Sequence, residues 1–573
     1  MSPRSLADVW RFIGVILGPE DRYFALVLIY GVGISLLSLA TPISVQLLIN
    51  TVAYTGLITP LIILSLALFV LLVFASLLNA LRIHLMDLFS RRFYARIVSE
   101  IALRAIYAVN PHFEDSGEGA LFNRYFDAII VTKTVPYLLV GGFTIVLQTL
   151  VGFVLVSLYH PLFLAFSVVL VLLIWSVWLI WGRRAMRSAV ELSHRKHAVA
   201  AWLEGLGDSN GFFKSERHID YALAHTDAMT DRFISQQRLH FRHHFSQTLA
   251  LLLLYAASSA LLLGLGGWLV IQGELSIGQL VAAELVLSVV FVGISQLGLY
   301  LTYFYDLCAA IDELALFYDV DQEKFSANRG ERATTGDLAF SQATMKLRGE
   351  EVRLDFAIPA GARVLVHADQ YGPVRAMNGF LKGHESPASG FATLGGIDMD
   401  AIPQHTQRQQ IIVLDRPNAI DMSMREFLEL SGRDGDPGLL LETLQAVGLE
   451  DTVGKLDAGL DTRITASGWP LSIAENMQLK LASAIIAQPN LLVLNQLYDM
   501  MPEAQLRAAL DLLTEVTQGQ TTIMVMSSSE PDLGCDHWLL LEARSQLLFS
   551  DFDSFSDRIQ QGLAPRVPAS EGV

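Results

Sequence analysis

Cysteine is nearly absent: Cys308 and Cys535 are the only two in 573 residues. They lie far apart, the second in a stretch of soluble character, so reduced thiols are expected and a structural disulfide is not. Charge is scarce as well. Only 17% of residues are charged and the mean hydropathy is +0.42, which excludes an ordinary soluble chain and requires that much of the protein lie in lipid. Basic residues are short where a nucleic acid would need them. Of the net charge of −17, about −2 falls on residues 1–330 and roughly −15 on the remainder, and an acidic second half gives nucleic acid no footprint. In the first twenty residues Arg4, Asp8, Arg11 and Glu20 interrupt any apolar core. A short amphipathic lead-in helix is expected there rather than a cleavable leader.

Long apolar runs are what the first half does have. Six stretches, 23–50, 56–81, 135–159, 161–182, 248–271 and 275–305, reach the length of about 20 residues that a bilayer-spanning helix needs. The connections after the first, third and fifth are short and free of Lys and Arg. Those after the second and fourth carry Arg82, Arg91, Arg92, Arg96, Arg183, Arg184, Arg187, Arg195 and Lys196, so the positive-inside rule puts both termini and both long connections in the cytoplasm. Each long connection runs to roughly 50 to 65 residues of largely helical composition, enough to project ~30 Å or more from the membrane at ~1.5 Å per residue. Each has one turn-rich interruption, "NPHFEDSGEGALFNRYFDAI" and "EGLGDSNGFFKSERHIDYA". Within the spans Gln46, Asn79, Gln148 and Gln296 read as interhelical hydrogen-bonders. Glu284, a carboxylate inside the sixth span, is a candidate for the membrane path. "FRHHF" at 241–245 reads as interfacial rather than metal-binding.

Six spans, two long helical excursions and a soluble domain resemble a type I ABC exporter half-transporter over nearly the whole chain. Phe113, Gly119, Arg124 and Asp127 match that family's "FE…G.L.NR..D" run, and "GELSIGQLVA" at 273–282 is similar to its entry to the sixth helix. The resemblance implies a helical membrane domain over 1–322, a linker over 323–335, an α/β P-loop-like ABC domain over 336–560 and a flexible tail over 561–573. It also implies short coupling helices at the two interruptions, with Phe113 and Phe212 filling apolar grooves and Arg124 and Lys214 pairing with an acidic surface.

In the soluble half the motif positions are present and their chemistry is missing. Gly361 and Gly383 set the register of a phosphate loop. Ala368, Tyr371, Pro373, Val374 and Arg375 then fall where G-x-x-x-x-G-K-[ST] is required, without the glycines whose N–H groups cradle phosphate or the lysine that neutralises it. "LSIAE" from Leu471 stands at LSGGQ and keeps Ser472 alone of its polar contacts. In "NLLVLNQLYD" (490–499) Asn495 takes the place of the magnesium-linked aspartate and Gln496 that of the catalytic glutamate. Amides supply neither a general base nor balance for a divalent cation. Arg416 stands at the Q-loop glutamine, Gln342 at the adenine-stacking aromatic, Ser527 at the switch histidine and Pro502 at the D-loop aspartate.

The resemblance therefore implies a pseudo-ATPase with no catalytic residue, no metal ligand and no cofactor in this chain, ATP and magnesium entering only through a partner subunit. Two functions fit. One is the non-hydrolysing half of an export complex in a bacterial-type inner membrane, beside an ATPase-competent subunit. The other is a homomeric or accessory scaffold, receptor or channel without an ATP cycle, in which the partner is a second copy. Lipid is a partner in both, and the resemblance admits a periplasmic adaptor.

Overall fold

The computed structural model describes all residues except 1–5, 38–39, 42, 46, 49–57, 110–117, 324–330, 348–349, 369–370, 418–419, 433–436, 528–531, 543–544 and 564–573. Gln46 and Phe113 lie outside the described residues. The chain divides into two compact units, Met1–Glu323 and Lys324–Val573.

The described residues of the first unit are mainly helical. α1 (Leu6–Leu17) is the lead-in helix, and its apolar face, through Phe12 and Ile16, joins a core that also holds Phe89, Phe93, Ile311 and Leu314. Glu20 follows it, fully buried and held by Arg92 at 3.2 Å and Arg96 at 3.3 Å. α2 (Asp21–Leu37) begins the first apolar run. α3 (Ile58–Ile106), α6 (Pro161–Asp208) and α7 (Glu216–Ile271) run 49, 48 and 56 residues without interruption. Each thus continues well beyond the ~30 Å of a bilayer core, as the helical composition of the long connections requires. α4 (Asp127–Pro136) passes through a π-helical turn at Tyr137–Gly142 into α5 (Phe143–Ser157). A Cβ at Gly141 would run into the ring end of Tyr300, so a larger residue there requires that side chain to shift. α8 (Ile277–Ala315) opens on a reciprocal capping box between Ser276 and Gln279. Among the described residues five helices are long and apolar enough to cross a membrane. The first of the six expected spans, 23–50, is helical over the part that α2 describes.

Hydropathy placed Arg82 at a membrane edge, but the fold buries it to 4% exposure. Its guanidinium donates to Asn79 Oδ1 at 2.7 Å within α3 and to Thr144 Oγ1 on α5, so the arginine, and not Asn79, makes the interhelical bond. In the histidine run His240 meets Ser188 at 3.0 Å and His244 meets Thr302 at 3.0 Å, contacts that tie α7 to α6 and α8.

The second unit is built on three sheets. β1 (Leu338–Leu347), β2 (Glu350–Ile358), β4 (Ser389–Leu394) and β5 (Ile397–Asp398) form an antiparallel sheet in the order β2-β1-β4-β5. The main sheet has the order β12-β11-β3-β10-β9-β6, from β3 (Arg363–His367), β6 (Ile411–Leu414), β9 (Leu491–Leu494), β10 (Thr522–Met526), β11 (His537–Leu541) and β12 (Gln546–Phe549). All its pairings are parallel except β11 with β12. β7 (Met422–Ser423) pairs with β8 (Arg463–Ile464). β9 shows why the central strands are apolar at every position. Leu492 and Leu494 enter one core with α10 (Ile473–Ala487) and α11 (Glu503–Val516), while Leu491 and Val493 enter another with α9 (Tyr371–Leu381). A strand covered on both faces loses the alternation that a one-sided strand keeps.

Two boundaries differ from the expected ones. Ala333, in the expected linker, is buried and exchanges hydrogen bonds with the Gln410 side chain, so the second unit begins before residue 336. The helix α12 (Phe552–Leu563) enters the first three residues of the expected tail.

Candidate functional site

Parallel strands present their carboxyl ends along one edge, the usual place for a site in a doubly wound sheet. Here β3, β6, β9 and β10 deliver Ala368, Asp415, Asn495 and Ser527 to that edge. The strand–loop–helix unit from β3 into α9 is where a phosphate loop would lie, but α9 is already helical from Tyr371. Pro373 therefore sits inside the first turn, where its missing N–H costs nothing. Val374 and Ala368 pack against the core between the antiparallel sheet and the main sheet. Arg375 is half-buried on the same helix.

At the end of β9 the Asn495 amide is committed in both directions. Its Nδ2 donates to the Asp415 carbonyl at 2.9 Å and its Oδ1 accepts from the Leu497 N–H at 3.1 Å, capping the helical turn Gln496–Met500. Gln496 is exposed on that turn. Asp415 itself has both carboxylate oxygens on Lys382 Nζ, at 2.7 and 2.6 Å, and Lys480 Nζ donates to the Arg416 carbonyl at 2.7 Å. Ser527 is buried, its N–H directed at the Val366 carbonyl. Gln342 lies at an irregularity in β1 with φ +52° and donates to Asp355 on β2. An amide in a bulged strand offers no ring face for a purine to stack on.

The N-terminus of α10 carries the sharpest local chemistry. Ser472 caps it, its Oγ accepting from the Glu475 N–H at 3.2 Å, while Glu475 Oε2 accepts from the Ser472 N–H at 2.8 Å. Thr452 donates to the other Glu475 oxygen at 2.8 Å. Burial pushes the Glu475 carboxyl up, but the donors from Ser472 and Thr452 outweigh it and hold the pKa below the usual value. A helix N-terminus attracts anions through its unpaired N–H groups and dipole; here a side chain of the same helix has taken that position. Ser472→Ala is expected to lower the stability of the second unit by about 1 kcal/mol, read as an earlier denaturant midpoint at unchanged slope.

Among the expected coupling residues, Phe212 and Lys214 stand exposed in a turn between α6 and α7. Residues 209–215 form turns, not the short helix expected of this interruption. Phe212 stacks on His218 at 4.3 Å and meets Phe213 edge-on. In the first interruption a 3₁₀ segment, Glu118–Phe126, follows the undescribed stretch. Arg124 has its partner within its own unit: its guanidinium binds the carboxylate of Glu313 on α8, which is fully buried. The sequence reading of Arg124 as a docking residue is thus replaced by an internal ion pair. Glu284 lies on the exposed face of α8, next to buried Ala283.

Sequence reasoning missed the company that Arg124 keeps. Asp127 holds Lys196 at 2.8 Å and His197 at 2.7 Å, and His194 binds Asp312 at 2.9 Å. The available signal was the adjacent acid pair Asp312–Glu313 near the end of a largely apolar helix.

The chain is similar to the structure of a bacterial Atm1-family ABC exporter with ATP bound, with a TM-score of 0.77 over 96% of this chain and 99% of the other at 16% identity. The fold is that of an ABC exporter. Residues 24–204 match the ABC transporter transmembrane region. Sequence relatives of this ABC-exporter fold include the Leptosphaeria maculans multidrug resistance protein sirA, 29% identical over 28% of the chain and 13% of that protein. Leukotoxin translocation ATP-binding protein LktB of Mannheimia glucosida is 22% identical over 49% of the chain and 40% of its own length. LktB of Mannheimia haemolytica matches to the same extent. The chain spans well under two thirds of these curated relatives.

Proposed function

We propose that this chain is the non-hydrolysing subunit of an ABC-type export complex, supplying half of the membrane path and a pseudo-ATPase domain beside an ATPase-competent partner. Asn495 carries the reading. Its amide serves as donor and acceptor at the point where an ABC domain needs an acid for magnesium, and neighbouring Asp415 is neutralised by Lys382. Val374 in the core and Gln342 on a bulge support it, each serving the packing of the domain in place of a nucleotide. In this arrangement the partner's ATP drives closure, and the helical extensions of α3, α6 and α7 transmit the motion. Both termini lie in the cytoplasm of an inner-membrane assembly, consistent with the basic long connections.

One observation favours the scaffold reading. Glu475 would meet the γ-phosphate of any nucleotide that a partner brought to α10, and like charges repel there. Native mass spectrometry of the complex purified through this subunit in mild detergent separates the two. A heteromer with a second ABC chain, and ATPase activity in that preparation, is the expected result; a homomer without turnover overturns it in favour of the scaffold.

Restoring acids is expected to create no enzyme. Asn495→Asp with Gln496→Glu leaves α9 helical where a phosphate loop should be, and positioning supplies most of phosphoryl-transfer catalysis. The aspartate also loses the donor to the Asp415 carbonyl. Phosphate release from vesicles bearing the double variant alone is expected to equal that of empty vesicles.

A further inference from the structure

We propose that Asp127, His197 and Glu313 form a binding site for one divalent first-row transition cation, joining α4, α6 and α8 of the membrane unit. The three side chains are 1%, 6% and 0% exposed. Their ligating atoms lie within 4.8 Å of one another, a separation that small rotamer adjustments close to metal–ligand spacing.

Each carboxylate has one oxygen to offer, because a cationic side chain occupies the other. Lys196 Nζ holds Asp127 Oδ1 at 2.8 Å, leaving Oδ2 to face His197 Nε2 at 2.7 Å. Arg124 holds Glu313 Oε2. Glu313 Oε1 is buried and accepts no hydrogen bond among the described residues; His194 Nε2 lies 3.8 Å from it. A buried carboxylate oxygen without a donor is rare in a finished core, and this one belongs to a carboxylate that lies within the three-residue cluster.

Charge points the same way. Asp127, Asp312 and Glu313 bring three negative charges against the two positive charges of Arg124 and Lys196. With neutral imidazoles these groups carry one negative charge in excess, and the three ligands themselves are buried. The cation takes the place of the N–H between His197 and Asp127, the imidazole carrying its proton on Nδ1 instead. One imidazole nitrogen and two carboxylate oxygens suit manganese, iron or zinc better than calcium or copper(I). Arg124 and Lys196 do not compete for the cation, since each sits on the oxygen that the metal does not use. They orient the ligands, as outer-sphere partners do in metal sites. His194, fixed by Asp312, stands where a further ligand could approach. The bound ion would lock three helices at one point, and the site is independent of the nucleotide reading of the second unit.

The test uses the full chain in detergent, stripped with chelator, exposed to Mn²⁺ and desalted. Elemental analysis is expected to find about one Mn²⁺ per chain, pulsed electron paramagnetic resonance to show nitrogen coupling from imidazole, and the melting temperature to rise with the metal. His197→Gln retains a donor toward Asp127 but lacks the ring nitrogen; it is expected to lose the retained metal and the metal-dependent shift. Three results would overturn the proposal: no ion retained by the wild type with either Mn²⁺ or Zn²⁺, retained Mn²⁺ without nitrogen coupling, or equal retention in His197→Gln. Because the coupling is read on the wild type, a variant that fails to fold leaves the test intact.

Discussion

The full chain in detergent, titrated with ATP and magnesium, is expected to show no dissociation constant tighter than about 1 mM. Four separate contacts are missing, and each loss has its own structural cause. Val374 is turned into a core where a lysine would reach the phosphates. Gln342 is held in a strand irregularity by Asp355 where a ring would stack on adenine. Asn495 has spent its amide on Asp415 and Leu497. Pro373, in the first turn of α9, has no N–H to offer a phosphate. Losing even two charge-assisted contacts of about 1.5–3 kcal/mol each removes two to four orders of magnitude of affinity. Calorimetry decides it, and a magnesium-dependent constant in the micromolar range would refute the pseudo-ATPase reading.

Arg124→Ala is expected to destabilise the membrane unit by about 3–5 kcal/mol. The substitution removes the partner of a fully buried carboxylate, and the cost is that of leaving Glu313 charged or forcing it to take a proton in a buried site. The arginine is itself only 21% exposed, so solvent screening does not rescue the loss. The double variant Arg124→Ala, Glu313→Ala is expected to recover part of the stability, since no buried charge then lacks a partner. Melting of the four members of the cycle provides the measurement. A single-variant loss below about 1 kcal/mol would mean that the pair is solvated and its burial irrelevant.

The two expected results rest on opposite kinds of legibility. The empty nucleotide positions can be named from the sequence because strand, loop and helix follow one another in a fixed order, and a position within that order carries a chemical requirement with it. What replaced the lost chemistry is not visible there. Nothing in "NLLVLNQLYD" says that the amide of Asn495 bridges a carbonyl 80 residues away, and nothing in "LSIAE" says that its glutamate returns to cap its own helix. The coupling residues show the same limit. Phe212 and Lys214 lie in the exposed turn that their composition suggests, whereas Arg124, equally polar and equally close to a turn, points inward to an acid 189 positions later.

The sequence by itself determined the division into an apolar and an acidic half, the long helices that run beyond the membrane, and the strands of the second unit. These follow from local energetics: lipid demands continuous apolar helix with its backbone bonds satisfied internally, and a sheet covered on both faces demands short continuous apolar runs. Only the tertiary structure decided which polar groups meet. Arg82 with Asn79 and Thr144, Glu20 between Arg92 and Arg96, and Asp127 with Lys196 and His197 each combine residues whose individual codes are compatible with a solvated surface. A buried charge is tolerated only beside its partner. Where that partner sits depends on how whole helices pack, and no local stretch of sequence encodes it.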